Sequence, residues 1–171
     1  MNTNNVPIVS LLMTGSELMS GHTVDSNSAY LAQKLLTIGL AVHEISTTGD
    51  DRQHLIEQLQ RLAGKSSLLI INGGLGPTQD DLTAEVIANV AQTTIATHSE
   101  AKQHIIQWCA KRGFTANDAN LKQAELPLDC SIFPDAPGSA PAFYLFIEDC
   151  LVIATPGVPS ELKTITQQHL L

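Results

Sequence analysis

The sequence predicts a doubly wound α/β domain, with helices on both faces of one mainly parallel sheet. Three observations predict it. Short apolar runs alternate with amphipathic helical stretches through the first half of the chain, the pattern of repeated βαβ units. Leu68-Leu69-Ile70-Ile71 is apolar without interruption, as a strand covered on both faces must be. That run leads directly into Gly73-Gly74-Leu75-Gly76, a glycine-rich turn placed where a parallel strand hands over to a helix. The 171 residues, 43% of them hydrophobic, have the length of about one domain and can bury a core without a disulfide or metal staple. Residues 1–171 are therefore expected to form a single domain.

The elements follow in order. Residues 8–13 form a buried strand broken by Thr14-Gly15. Ser26 or Asn27 can cap a helix whose stripe is Leu31, Leu35 and Ile38, with Gly39 as its stop. Leu40 to Ser46 alternates and reads as a strand over about 41–46. Asp50 or Asp51 can cap a helix with stripe Leu55, Leu59 and Leu62, stopped by Gly64. The third strand covers 67–72. Helices are then predicted around Val86 to Ala91, from Glu100 to Arg112 and from Asp118 to Glu125, the last closed by Pro127. Ser131 to Phe133 is a short strand. Phe143 to Ile147 and Leu151 to Ala154 flank Glu148-Asp149 as an added β-hairpin. Pro156-Gly157-Val158-Pro159 turns into a final helix, Ser160 to His169.

Composition narrows the function. Seventeen acids against nine bases give a net charge of -8, which argues against a nucleic-acid partner. No apolar run is long enough for a membrane span. The polar start, Met1 to Pro7, carries no secretory pattern, so the expected location is cytoplasmic. Cys109, Cys130 and Cys150 form no paired motif and are expected as buried or half-buried free thiols; the six histidines show no metal-ligand spacing.

In a parallel sheet, ligands bind outside the carboxyl ends of the strands. Three strand ends meet that description: Thr14-Gly15-Ser16-Glu17, Thr48-Gly49-Asp50-Asp51, and Gly73 to Thr83. Gly73, Gly74 and Gly76 let backbone N–H groups approach an anion, and the helix that follows adds its positive end. The loop is neither a Walker A sequence nor a dinucleotide fingerprint. Asp50, Asp80 and Asp81 can hold a Mg²⁺-class ion together with water and phosphate oxygens. Asp51, Asp80 and Asp81 can equally be helix caps, and Glu17 can be a ligand or a loop residue.

The run Gly73-Gly74-Leu75-Gly76-Pro77-Thr78-Gln79-Asp80-Asp81-Leu82-Thr83 resembles the signature loop of the CinA family, within the wider MoaB/MogA molybdopterin-binding fold. The resemblance continues through Gly15-Ser16-Glu17-Leu18, Asn27-Ser28-Ala29-Tyr30-Leu31 and Gly49-Asp50, then Asn120 to Ala124, Gly138 to Pro141 and Pro156 to Leu162. It implies a three-layer sandwich of that fold. It also implies metal-dependent hydrolysis of ADP-ribose to AMP and ribose 5-phosphate, with Mg²⁺, Mn²⁺ or Co²⁺ and K⁺. The family's C-terminal nicotinamide-nucleotide amidase domain has no counterpart here and is expected to be absent.

Asp50, Asp80 and Asp81 are the expected catalytic and metal-binding residues. Gly15, Glu17, Asn27, Gly73, Gly74, Gly76, Thr78, Lys122, Ser139, Pro156 and Gly157 are expected to bind the ligand, a small phosphorylated nucleotide or pterin. Association with further copies of the chain is also expected. Two other functions fit the same residues: a molybdopterin adenylyltransferase-type domain, and a nucleotide-sensing module without turnover. Asp25, Leu121, Ala142 and Thr155 depart from the family's common Asn, Arg, Gly and Leu. Losing the Arg removes a bidentate phosphate clamp, and Ala142 could narrow the pocket.

Overall fold

A computed structural model describes residues 6–171. The elements run β1 (Val9–Thr14), α1 (Ser16–Met19), α2 (Asn27–Thr37), β2 (Val42–Thr48), α3 (Arg52–Ala63), β3 (Leu68–Asn72), α4 (Thr83–Val90) and β4 (Ile95–Thr97). They continue with α5 (Ser99–Ala110), α6 (Asp118–Lys122), β5 (Glu125–Pro127), β6 (Ser131–Ile132), β7 (Phe143–Ile147), β8 (Cys150–Thr155) and α7 (Pro159–Ile165). A π-helical turn, Thr166–Leu170, extends α7.

Six strands form one sheet in the order β2-β1-β3-β8-β7-β6. The pairs β1·β2, β1·β3 and β3·β8 are parallel, while β7 joins β8, and β6 joins β7, in antiparallel fashion. The mainly parallel sheet and the added hairpin are as the sequence predicts. Glu148 takes the positive-φ position in the turn between β7 and β8.

The period-two alternation of β1 divides the core. Leu12 packs on one face with Leu55, Leu59, Leu69, Ile71 and Ile87. Val9, Leu11 and Met13 pack on the other with Leu31, Leu35, Ile70 and Leu162. Helices α3 and α4 therefore cover one face and α2 and α7 the other, a three-layer sandwich. Every β1 side chain is buried, as a central strand between two helical layers requires.

Several local expectations are corrected. Helix α2 is capped from Asp25, whose Oδ1 accepts the Ser28 N–H at 2.9 Å, and neither Ser26 nor Asn27 supplies that bond. The helix predicted to reach Glu125 ends at Lys122, and Glu125–Pro127 becomes β5, antiparallel to β4. Both are three-residue strands, too short to carry a periodic signal, and Pro127 sits at a strand end where its missing N–H costs no ladder bond. Ala142 is fully buried and starts the hairpin, so the extra methyl fills core rather than the cavity described below. Leu121 packs against the α3–α5 side of the core.

The three cysteines are buried free thiols, and burial pushes those of Cys130 and Cys150 up to about 11. No helix among the described residues is long and apolar enough to cross a membrane.

Leu12, at the centre of the sheet, and Leu128, on the surface, give a simple test of this packing. Leu12→Ala is expected to lower unfolding free energy by about 2–5 kcal/mol in urea titrations. Leu128→Ala is expected to change it by less than about 0.5 kcal/mol. Equal effects would contradict this placement of the core.

Candidate functional site

A cavity of about 540 Å³ lies where β1, β2, β3 and β8 end, because parallel strands deliver all their outgoing loops to one edge. Its wall includes Gly15 and Glu17 after β1, Asp50 after β2, and Gly73, Gly74, Gly76, Thr78, Asp80 and Asp81 after β3. Ser139 precedes β7, and Pro156 and Gly157 follow β8.

The glycines are required by geometry. Gly73 and Gly74 have φ of 109° and 67°, which side chains seldom tolerate. A Cβ on Gly73 would lie 2.5 Å from the Thr14 carbonyl oxygen, and one on Gly74 would overlap the Thr83 hydroxyl. That hydroxyl donates to the Gly73 carbonyl at 2.8 Å, and the Thr83 N–H donates to Gly74 O at 3.1 Å. The loop is thus pinned to the first turn of α4, which has no side-chain cap.

Asp81 therefore does not cap α4. Its Oδ2 accepts the Thr78 N–H at 2.8 Å and the Thr78 hydroxyl at 2.5 Å, closing a local turn at the cavity wall. Asp51 is the cap of α3, with its Oδ1 taking the His54 N–H at 2.9 Å. Asp50 reaches across to the β1 loop, where its Oδ2 accepts the Ser16 N–H at 2.9 Å. Among the described residues no three His, Cys, Asp or Glu side chains gather as a ready set of metal ligands.

Two expected ligand-binding residues do not line the cavity. Asn27 is buried below it; its Nδ2 donates to Asn72 Oδ1 and to Gly157 O, both at 2.8 Å. Lys122 lies behind the glycine loop, and its ammonium donates to the Thr78 and Asp81 carbonyls at 2.7 and 3.3 Å. Both hold the loops in place through these bonds.

Three polar cavity residues, Thr14, Gln123 and Glu161, lie outside the expected catalytic and ligand-binding residues. Thr14 Oγ1 and Gln123 Oε1 are buried without a protein hydrogen-bond partner. Gln123 Nε2 donates to Leu75 O at 3.1 Å, which fixes the orientation of its amide. Glu161, in the first turn of α7, is half-buried. Burial pushes its carboxyl above the usual carboxylate range, and Arg112 opposes that in part. Gln123 and Glu161 lie within sequence runs that carry the family resemblance, which is the signal that could have found them. The cavity wall includes Glu17, Asp50, Asp80, Asp81 and Glu161, with no Lys or Arg.

The chain matches the family model described as "Probable molybdopterin binding domain" over residues 10–171. It is 47% identical over 167 residues to a CinA-like protein of Colwellia psychrerythraea, covering 98% of this chain and 39% of that protein. It is 37% identical over 164 residues to a putative competence-damage inducible protein of Halothermothrix orenii, covering 96% of this chain and 40% of that one. The chain thus spans about two-fifths of the length of these relatives. The crystal structure of CinA from Thermoplasma acidophilum, a protein described there as of unknown function, superposes with a TM-score of 0.87 at 28% identity, covering 96% of each chain. The molybdopterin biosynthesis enzyme MoaB of Thermus thermophilus shares the fold, with a TM-score of 0.64 at 15% identity over 96% of this chain and 89% of that one. The chain belongs to the probable molybdopterin binding domain family, in its CinA-like branch.

Proposed function

We propose that the domain hydrolyses the pyrophosphate bond of a small nucleotide, ADP-ribose being the leading substrate, to AMP and ribose 5-phosphate. One observation carries the reading: a glycine loop faces a cavity whose wall carries five carboxylates and, among the described residues, no Lys or Arg. A diphosphate can meet the N–H groups of Gly74 to Gly76, and a cation that comes with it would offset the carboxylates nearby. That combination suits metal-assisted phosphoryl chemistry.

The residues fit a hard divalent ion shared with the ligand. Asp50 uses Oδ2 in a hydrogen bond to the β1 loop and Asp81 uses Oδ2 in a turn within its own loop, which orients each carboxylate and leaves Oδ1 for an ion. Mg²⁺ commonly takes only one or two carboxylates and completes its shell with phosphate and water, so three gathered protein ligands are not needed. Asp50 and Asp81 would hold it, with Asp80 beside them. When bound, a Mg²⁺, Mn²⁺ or Co²⁺ ion supplies Lewis-acid polarisation of the phosphoryl oxygen and acidifies nearby water. K⁺ is a further proposed requirement. The glycine loop would orient the diphosphate, with Gly157 packed beside Gly73 and Ser139 also on the cavity wall.

A second reading, nucleotidyl transfer to molybdopterin, rests on the family match and uses the same loop and aspartates. Product analysis separates the two. ADP-ribose with Mg²⁺, Mn²⁺ or Co²⁺ is expected to give AMP and ribose 5-phosphate in equal amounts, with EDTA stopping release. No AMP under any of these metals, together with adenylated product from molybdopterin and ATP, would favour transfer. Binding without turnover in either assay would leave a nucleotide-sensing module.

Asp81→Asn preserves the acceptor for Thr78 but removes the charge. It is expected to cost at least ~10²-fold in turnover and to weaken the metal response, with little change in melting temperature. Asp51→Asn, which keeps the α3 cap, should stay within about threefold of wild-type turnover. If Asp81→Asn turns over normally, the carboxylate serves the Thr78 turn alone.

A further inference from the structure

The carboxylates around the cavity are not equivalent. Asp50 accepts the Ser16 N–H from the β1 loop, and Asp81 accepts the Thr78 N–H within its own loop. Among the described residues Glu161 receives no such bond; burial pushes its carboxyl up and Arg112 opposes that in part. It projects from the first turn of α7, beside the Pro156–Gly157 wall of the cavity. Its carboxylate lies against the α-carbon of Gly138, so closely that any side chain at that position would overlap it. The His104 ring donates from Nε2 to the Gly138 carbonyl at 2.7 Å and holds that segment in place. Glu161 is therefore placed by its surroundings, yet retains unused lone pairs.

We propose that Glu161 is the general base of the pyrophosphate hydrolysis. This rests on the hydrolase reading above. An O–H bond of the attacking water breaks and its proton passes to Glu161 Oε. The water oxygen forms the new bond to phosphorus. The bond from phosphorus to the bridging oxygen breaks, and its electron pair leaves on the second phosphate. Glu161 then releases its proton to solvent. A half-buried carboxylate without donors is a stronger base than one held by N–H groups, and its titration moves toward the pH at which water is activated.

The charged and titratable groups around Glu161 are Arg112 beyond the end of α5, His104 behind Gly138, Lys163 on its own helix, and Glu17, Asp50, Asp80 and Asp81 on the cavity wall. Burial raises the carboxyl more than Arg112 lowers it. The folded state therefore favours the neutral acid. Stability from this group is fully present below the unfolded-state pKa and is lost as pH rises through the folded value.

The test compares wild type, Glu161→Gln and Gly138→Ala, using ADP-ribose and Mg²⁺ across pH 5–9, with thermal melts at pH 4 and pH 8. Wild-type kcat should show an acid limb above the ordinary carboxylate range. Glu161→Gln should lower kcat by at least ~10²-fold, leave KM within about threefold and abolish the limb. Its melting temperature should exceed that of wild type at pH 8 and match it at pH 4. Gly138→Ala, which displaces the carboxylate, should lower kcat in the same direction. A Gln variant that keeps wild-type kcat and limb overturns the role of Glu161 while leaving the hydrolase reading intact. So does a variant that melts lower at both pH values, or one whose limb does not move. A wild-type protein that releases no AMP overturns both.

Discussion

The Asn72 side chain, buried at the end of β3, ties together three chain segments that are distant in sequence. Its Oδ1 accepts the Asn27 amide from the start of α2 at 2.8 Å. Its Nδ2 donates to Thr155 Oγ1 at 3.1 Å and to Pro156 O at 2.6 Å, at the end of β8. Asn27 closes the circuit through Gly157 O, and the Thr155 hydroxyl donates to Ile71 O at 3.1 Å. Such a network contributes stability only while every group is paired, because each buried polar group left alone costs about 1–3 kcal/mol. The loops around the cavity are therefore set by one connected unit and do not adjust independently.

On that floor stands a loop with no spare room. Gly73 and Gly74 press against Thr14 and Thr83, and Lys122 holds the far side through two carbonyls. The backbone is fixed before any ligand arrives, which spares a bound phosphate the entropy cost of ordering it. Lys122, a cation tied to the loop, is turned to its back. A strongly acidic cavity in a chain of net charge -8 would repel a free anion, so in the proposed reaction a metal ion accompanies the diphosphate.

The sheet was legible in the sequence because Leu68 to Ile71 is too apolar for anything but a central strand, and the helical stripes on either side have the right period. The β4–β5 pair was not, since three residues show no period and Pro127 reads as a helix stop. At the cavity, the glycines and acids announced themselves through local spacing. The separate duties of the aspartates did not. Asp51 and Asp81 look alike as Asp-containing turns, yet one caps α3 and the other closes a turn with Thr78. Asn27 resembles a ligand-binding amide, and only tertiary packing reveals that both its protons are spent on Asn72 and Gly157. Glu161 was hidden for the same reason: its carboxylate lies against Gly138, on a segment well before α7.

The most direct measurement is a crystal structure of the chain with Mg²⁺ and an ADP-ribose analogue whose bridging oxygen is replaced by a methylene group. The account predicts the diphosphate on the Gly74–Gly76 N–H groups, with Gly73 N–H kept on Thr155 O, the ion between it and Asp50 and Asp81, and the Asn27–Asn72–Thr155 bonds unchanged. An analogue bound elsewhere, such as the groove along Leu36 and Ile45 at the outer edge of β2, would contradict it. So would a diphosphate turned away from the glycine loop.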